Sequence, residues 1–125
     1  VKYCKLTNTD ALLVTLVKSE AEFSPNTLYR DFALSPTMFH WESQSTTSPE
    51  SETGRRYQGL TKHPSNIALF IRERKKDDFG EGAAYTFAGP AHFVETTGSK
   101  PMQITWQLDH ALPPELYVAA RAVAS

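Results

Sequence analysis

Ile67-Ala68-Leu69-Phe70-Ile71-Arg72-Glu73-Arg74-Lys75-Lys76 runs directly into Asp77-Asp78-Phe79-Gly80-Glu81-Gly82. In the first stretch Ile67, Leu69 and Ile71 alternate with Ala68, Phe70 and Arg72, the two-residue period of a strand with one face on a core. The side chains then turn polar, as they do when a strand leaves the core for solvent. The second stretch gathers turn formers and two glycines able to take positive φ. A strand over 67–76 is therefore predicted to fold back as a hairpin on a partner near 83–88.

Working outward, Gly89-Pro90 interrupts the pattern. Proline cannot donate to a ladder, so the pair marks a bulge, corner or edge between segments 84–88 and 91–96. Thr97-Gly98-Ser99-Lys100-Pro101 is a further turn, after which Ile104, Trp106 and Leu108 alternate with Gln103, Thr105 and Gln107. Leu12, Val14 and Leu16 give a strand over 10–18, and Met38-Phe39-His40-Trp41-Glu42-Ser43 centres another, for six strand segments in all. Helix signals are short. Ser24-Pro25 and Ser48-Pro49 each set an N-cap before a proline, predicting turns near 25–31 and 49–58. Pro113-Pro114-Glu115 opens a helix with Leu116, Ala119, Ala120 and Val123 on one stripe.

The expected fold is α+β and mainly β: a strongly bent antiparallel or mixed sheet, or a small β-barrel, with short flanking helices. The Gly89-Pro90 break favours a barrel, because a bend there helps to remove sheet edges. PUA-like barrels, named for pseudouridine synthase and archaeosine transglycosylase, suit the layout by fold-level analogy and include readers of modified bases.

The chain has 125 residues, 13 Lys+Arg against 14 Asp+Glu, and 40% hydrophobic residues. These values fit one domain over 1–125, large enough to bury a core without disulfides, which the single Cys4 could not supply. No run of 18 apolar residues marks a membrane span, and the first residues do not form a signal segment, so the expected location is cytoplasmic. The absent initiator methionine reads as a piece excised from a longer chain.

Charge is uneven. Residues 55–76 hold Arg55, Arg56, Lys62, Arg72, Arg74, Lys75 and Lys76 against Glu73, whereas 19–52 hold six acids against Arg30. Basic groups beside Tyr57 and an emerging strand could bind phosphates, which need charge and no motif; the alternative is a solvated strand end. In Phe39-His40-Trp41-Glu42-Ser43-Gln44, alternation sets Phe39 and Trp41 on one face and His40 on the other. Either Phe39 and Trp41 are core, or Trp41 lines a concavity with Tyr57, where His40 and Gln44 test the edge of an unstacked base. The candidate nucleic-acid-binding residues are thus His40, Trp41, Gln44, Arg55, Arg56, Tyr57, Arg72 and Lys75.

Enzyme signatures are poor. His40, His63, His92 and His110 lack metal-ligand spacing, and no glycine-rich loop cradles a phosphate. Glu42 and Glu73 with Lys75 form no constellation that singles out a nuclease. No cofactor, metal or catalytic residue is expected.

Thr15-Leu16-Val17-Lys18-Ser19-Glu20, Phe23-Ser24-Pro25, Tyr29-Arg30-Asp31, Phe39-His40-Trp41-Glu42-Ser43-Gln44, Gly54-Arg55-Arg56-Tyr57, Leu69-Phe70-Ile71-Arg72-Glu73 and Pro101-Met102-Gln103-Ile104-Thr105-Trp106-Gln107-Leu108 occur in this order. The series resembles an uncharacterised domain at the C-terminus of bacterial superfamily 2 DEAD/DEAH-box helicases of the restriction type, often preceded by a phospholipase-D-like nuclease module. The resemblance runs from about Leu12 to Tyr117. It implies an accessory role in a DNA-translocating or phage-defence machine, with ATP hydrolysis and cleavage located elsewhere, and it transfers no site residues. DNA and the helicase core of the same parent chain are the expected partners. The leading expectation is a non-catalytic DNA-binding accessory domain reading modified or distorted DNA; the alternative is a protein-interaction domain docking on the helicase core or mediating oligomerisation.

Overall fold

The computed structural model describes residues 1–17, 31–74, 76 and 78–121. Its strands are β1 (Lys2–Cys4), β2 (Thr9–Val17), β3 (Phe32–Ser35), β4 (Met38–Glu42), β5 (Asn66–Arg74), β6 (Thr86–Thr97) and β7 (Gln103–Leu108), with helices α1 (Glu52–Tyr57) and α2 (Pro114–Ala120). The turn expected near 25–31 lies, apart from Asp31, outside the described residues.

All seven strands join one sheet in the order β1-β2-β5-β6-β7-β4-β3. β2 and β5 run parallel, with Leu12 opposite Leu69 and Val14 opposite Ile71. Every other neighbouring pair is antiparallel. A parallel pair cannot be closed by a tight hairpin, and here the connection carries β3, β4 and α1.

The barrel expectation is overturned. The Gly89-Pro90 region does form a bulge, with a register shift between Leu69 and Phe70 and Gly89 at φ +100, but it bends one continuous strand of 12 residues. Closure would require a ladder between the terminal strands, and the three residues of β1 are exposed at one end of the order while β3 sits at the other. The β3 edge instead meets the chain leaving α2, through a parallel bridge between Ala33 and Arg121, a common way to blunt an open edge.

One face of the sheet carries the core. Leu12 and Val14 of β2, Leu69 and Ile71 of β5, Phe39 and Trp41 of β4, and Ile104 and Trp106 of β7 are buried together with Tyr57 of α1 and Leu116 and Ala120 of α2. Trp106 is fully buried, and its indole is surrounded by Trp41, Tyr57 and Phe93 at centroid distances of 6.2, 6.4 and 6.2 Å. Among the described residues its Nε1–H has no nitrogen or oxygen partner, and shape and aromatic contact hold the side chain.

The polar stretch that precedes α1 is tied to the sheet. Ser43 donates its backbone N–H to Met102 O at 2.9 Å and accepts the Met102 N–H on Oγ at 2.8 Å, while Lys100 donates to Thr47 O at 2.9 Å. Ser51 caps α1 by accepting the Gly54 N–H at 3.0 Å. Gly54 lies so close to this turn that a Cβ would stand 1.9 Å from Ser48 O.

Candidate nucleic-acid interface

Asp10 sits on β2 with its side chain wholly buried, and a buried carboxylate must be paired and hydrogen-bonded. Arg56, at the end of α1, supplies the pairing with a two-pronged contact: Nε donates to Oδ2 at 2.7 Å and Nη2 donates to Oδ1 at 2.9 Å. Ser65 Oγ adds a third bond to Oδ2 at 2.6 Å. The guanidinium lies 4.1 Å from the centroid of the Tyr3 ring on β1. Its bonds to Asp10 raise the Arg56 pKa above the ordinary arginine value. These contacts clamp α1 to the β1–β2 end of the sheet, and they commit Arg56 to the fold.

The structure brings Trp41 and Tyr57 together, but inside the core. Their rings meet edge to face at 5.3 Å, and they are 2% and 3% exposed. The reading in which they line a concavity for an unstacked base is therefore replaced by its core alternative, since neither ring has a face open to a ligand. Burial pushes the Tyr57 phenol up to about 12, and the nearby Asp10 carboxylate adds to the shift.

The remaining expected residues that the structure describes do not converge. Arg55 is exposed on α1 and donates through Nη2 to Leu60 O at 3.1 Å. Gln44 is exposed in the loop after β4. His40 stacks on Phe32 with centroids 4.7 Å apart. Arg72 is on the same sheet face as His40, but β6 and β7 intervene, at least roughly 14 Å sideways at about 4.8 Å per strand, and the registers set the two far apart along the strands as well. Lys75 lies outside the described residues.

A different group of residues does converge. Leu13 is opposite Phe70, and Phe70 is opposite Phe87, so the three form a row across β2, β5 and β6. Ala11, Ala68 and Pro90 form the adjacent row of the same face. The Phe70 and Phe87 rings pack at 5.0 Å, yet Phe87 remains 58% exposed and Leu13 40%. Two-residue alternation puts Arg72 and Arg74 on this face, and Lys76, bridged to Gly82, prolongs the ribbon. Arg72 is oriented by Thr15 Oγ1, which accepts from Nε at 2.9 Å, and by the Tyr85 ring, whose centroid is 4.4 Å away. Arg74 meets Asp78 at 3.1 Å, with both side chains well exposed.

A groove of about 320 Å³ between β5 and α2 is lined by Arg72, Glu73, Thr86 and Glu115 beside apolar groups. Two carboxylates against one guanidinium disfavour a phosphate there. Among the described residues no group of three or more His, Cys, Asp or Glu side chains could hold a metal ion, and no helix is long and apolar enough to cross a membrane.

The fold and its exposed groups define an α+β domain in which a mixed seven-stranded sheet packs one face beneath two short helices and shows an aromatic and basic patch on the other. The chain belongs to the family described as Domain of unknown function (DUF3427), which matches residues 2–120. No curated protein matches the sequence.

Proposed function

We propose that this chain is a non-catalytic nucleic-acid-binding accessory domain, working beside the helicase core of a longer DNA-processing protein. One observation carries the reading: Arg72 and Arg74 follow one another along a single face of β5, and Lys76 lies just beyond the strand's end, bridged to Gly82. Alternate positions on a strand are about 6.7 Å apart, so the two arginines, with Lys76 beyond them, offer cations at a spacing suited to a phosphate backbone. The Arg74–Asp78 pair does not prevent this, because an ion pair exposed at 61% and 78% of its side chains contributes little and exchanges readily for a phosphate. Arg55 and Arg56 have no part in this interface.

Fluorescence anisotropy of a labelled oligonucleotide, titrated with the 125-residue chain between about 50 and 200 mM salt, tests it. Affinity falls steeply with salt, and Arg74→Ala with Lys76→Ala flattens the plot of log K against log salt by about 0.7–0.9 for each phosphate that no longer meets a cation. Arg55→Ala leaves the slope unchanged. No binding at the lowest salt, or the same slope in the double variant, overturns the proposal. A docking role for the domain is favoured by the exposure of Leu13 and Phe87, and its signature is association with a protein surface that salt barely alters.

A further inference from the structure

We propose that the open sheet face centred on Phe70 and Phe87 is a stacking platform for the unpaired bases of a single-stranded nucleic acid. This rests on the nucleic-acid reading above and adds to it the strandedness of the ligand and the residues that hold the bases.

The first support is the chemistry of the patch. Phe70 and Phe87 pair in register on neighbouring strands with rings 5.0 Å apart, and the more exposed ring, Phe87, turns more than half of its surface to solvent. Aromatic rings on a sheet face offer π surfaces that bases of any sequence can stack on. The second is the charge beside it. Arg72 and Arg74 follow Phe70 along the same face, so a strand whose bases lie on the rings has its phosphates beside cations. This charge complementarity distinguishes a polyanion from an uncharged apolar partner.

The third support comes from the shape and composition of the face. In a duplex the base faces are covered by their neighbours and only the edges are accessible. Ala11, Leu13, Ala68, Phe70, Phe87 and Pro90 carry no side-chain hydrogen-bonding group to read such edges. The patch meets base faces, which are open in single strands, and it discriminates little between sequences.

The test compares fluorescein-labelled oligo(dT) of about 12 nucleotides with the same strand annealed to oligo(dA), using the 125-residue chain and its Phe87→Ala and Phe87→Trp variants. The wild-type chain binds oligo(dT) more tightly than the duplex. Phe87→Ala weakens oligo(dT) binding by about 5- to 150-fold, the effect of removing one stacked base, with an unaltered salt slope because no charge is removed. Phe87→Trp restores binding, which a merely structural role for the ring would not require, and thermal melting shows each variant folded.

Tighter binding to duplex, or equal oligo(dT) affinity for wild type and Phe87→Ala, overturns the platform and leaves the broader nucleic-acid reading standing. Failure of both probes to bind at low salt removes the broader reading as well. Self-association of the wild-type chain that Phe87→Ala abolishes, without oligonucleotide binding, assigns the face to protein docking and overturns the platform.

Discussion

Arg56 with Asp10 and Arg74 with Asp78 are the same two side-chain chemistries in opposite settings. The first pair meets at 2.7 Å with 15% and 0% of its side chains exposed, gains a third hydrogen bond from Ser65, and joins a helix to the sheet. The second meets at 3.1 Å with 61% and 78% exposed, four residues apart on a hairpin. Removing one partner from the first leaves a charge stranded away from water, whereas removing one from the second returns a charge to solvent. The covered face uses its polar groups to hold the fold. The open face leaves cations and rings where a ligand can reach them.

The sharpest way to break this contrast is Arg56→Ala, which leaves Asp10 without its counter-charge. A drop of about 3–5 kcal/mol in urea unfolding is expected, and combining Asp10→Leu with Arg56→Met recovers much of it. A single variant that unfolds like wild type would show that the clamp does not hold α1. Gly54→Ala comes next: the added carbon meets the Ser48 carbonyl at 1.9 Å, and backbone must move, at a cost of about 1–3 kcal/mol visible as a lower Tm.

Alkali probes the same region through Tyr57. The folded state holds its phenol protonated to about 12, against 10.0 ordinarily. Between these values the unfolded chain has released a proton that the folded chain retains, so rising pH favours unfolding. Unfolding free energy then declines by up to about 1.4 kcal/mol per pH unit, and Tyr57→Phe flattens the decline; an identical decline in the variant contradicts the burial argument.

On the open face the effects on stability shrink. Phe87→Ala removes a cross-strand aromatic pair, worth about 0.2–1 kcal/mol, and Arg74→Ala changes stability by less than about 0.5 kcal/mol. Larger effects in melting experiments would show that these groups hold the fold as Arg56 does.

Much of the sheet was legible because its central strands alternate. Leu69 and Ile71, Leu12 and Val14, and Ile104 and Trp106 declare a buried face, and Ser51 before Glu52 lies within the helical turn that Ser48-Pro49 signals. β1 and β3 were not legible: Lys2-Tyr3-Cys4 is exposed throughout, and Phe32–Ser35 spans four residues, too few for a period to emerge. Barrel closure failed as an inference because a bulge shows where a strand bends and says nothing of whether the terminal strands meet.

The site divides along the same physical line. Arg55-Arg56-Tyr57 looked basic and aromatic, but Asp10, which claims Arg56, lies 46 residues earlier, and only the folded sheet brings the two together. Arg72 and Arg74 could be placed on the Phe70 face by parity alone. Phe87 could not, since its pairing with Phe70 depends on the shift at Leu69/Phe70, which a count of alternating residues steps across.

The most direct measurement is the backbone amide spectrum of the isotope-labelled 125-residue chain during titration with oligo(dT). Shifts are expected to concentrate at residues 68–74 and 86–91, while the amides of Asp10, Trp41, Arg56 and Tyr57 stay in place. Shifts centred on residues 40–57 with β5 unmoved, or none anywhere at low salt, would contradict a nucleic-acid interface on the open face.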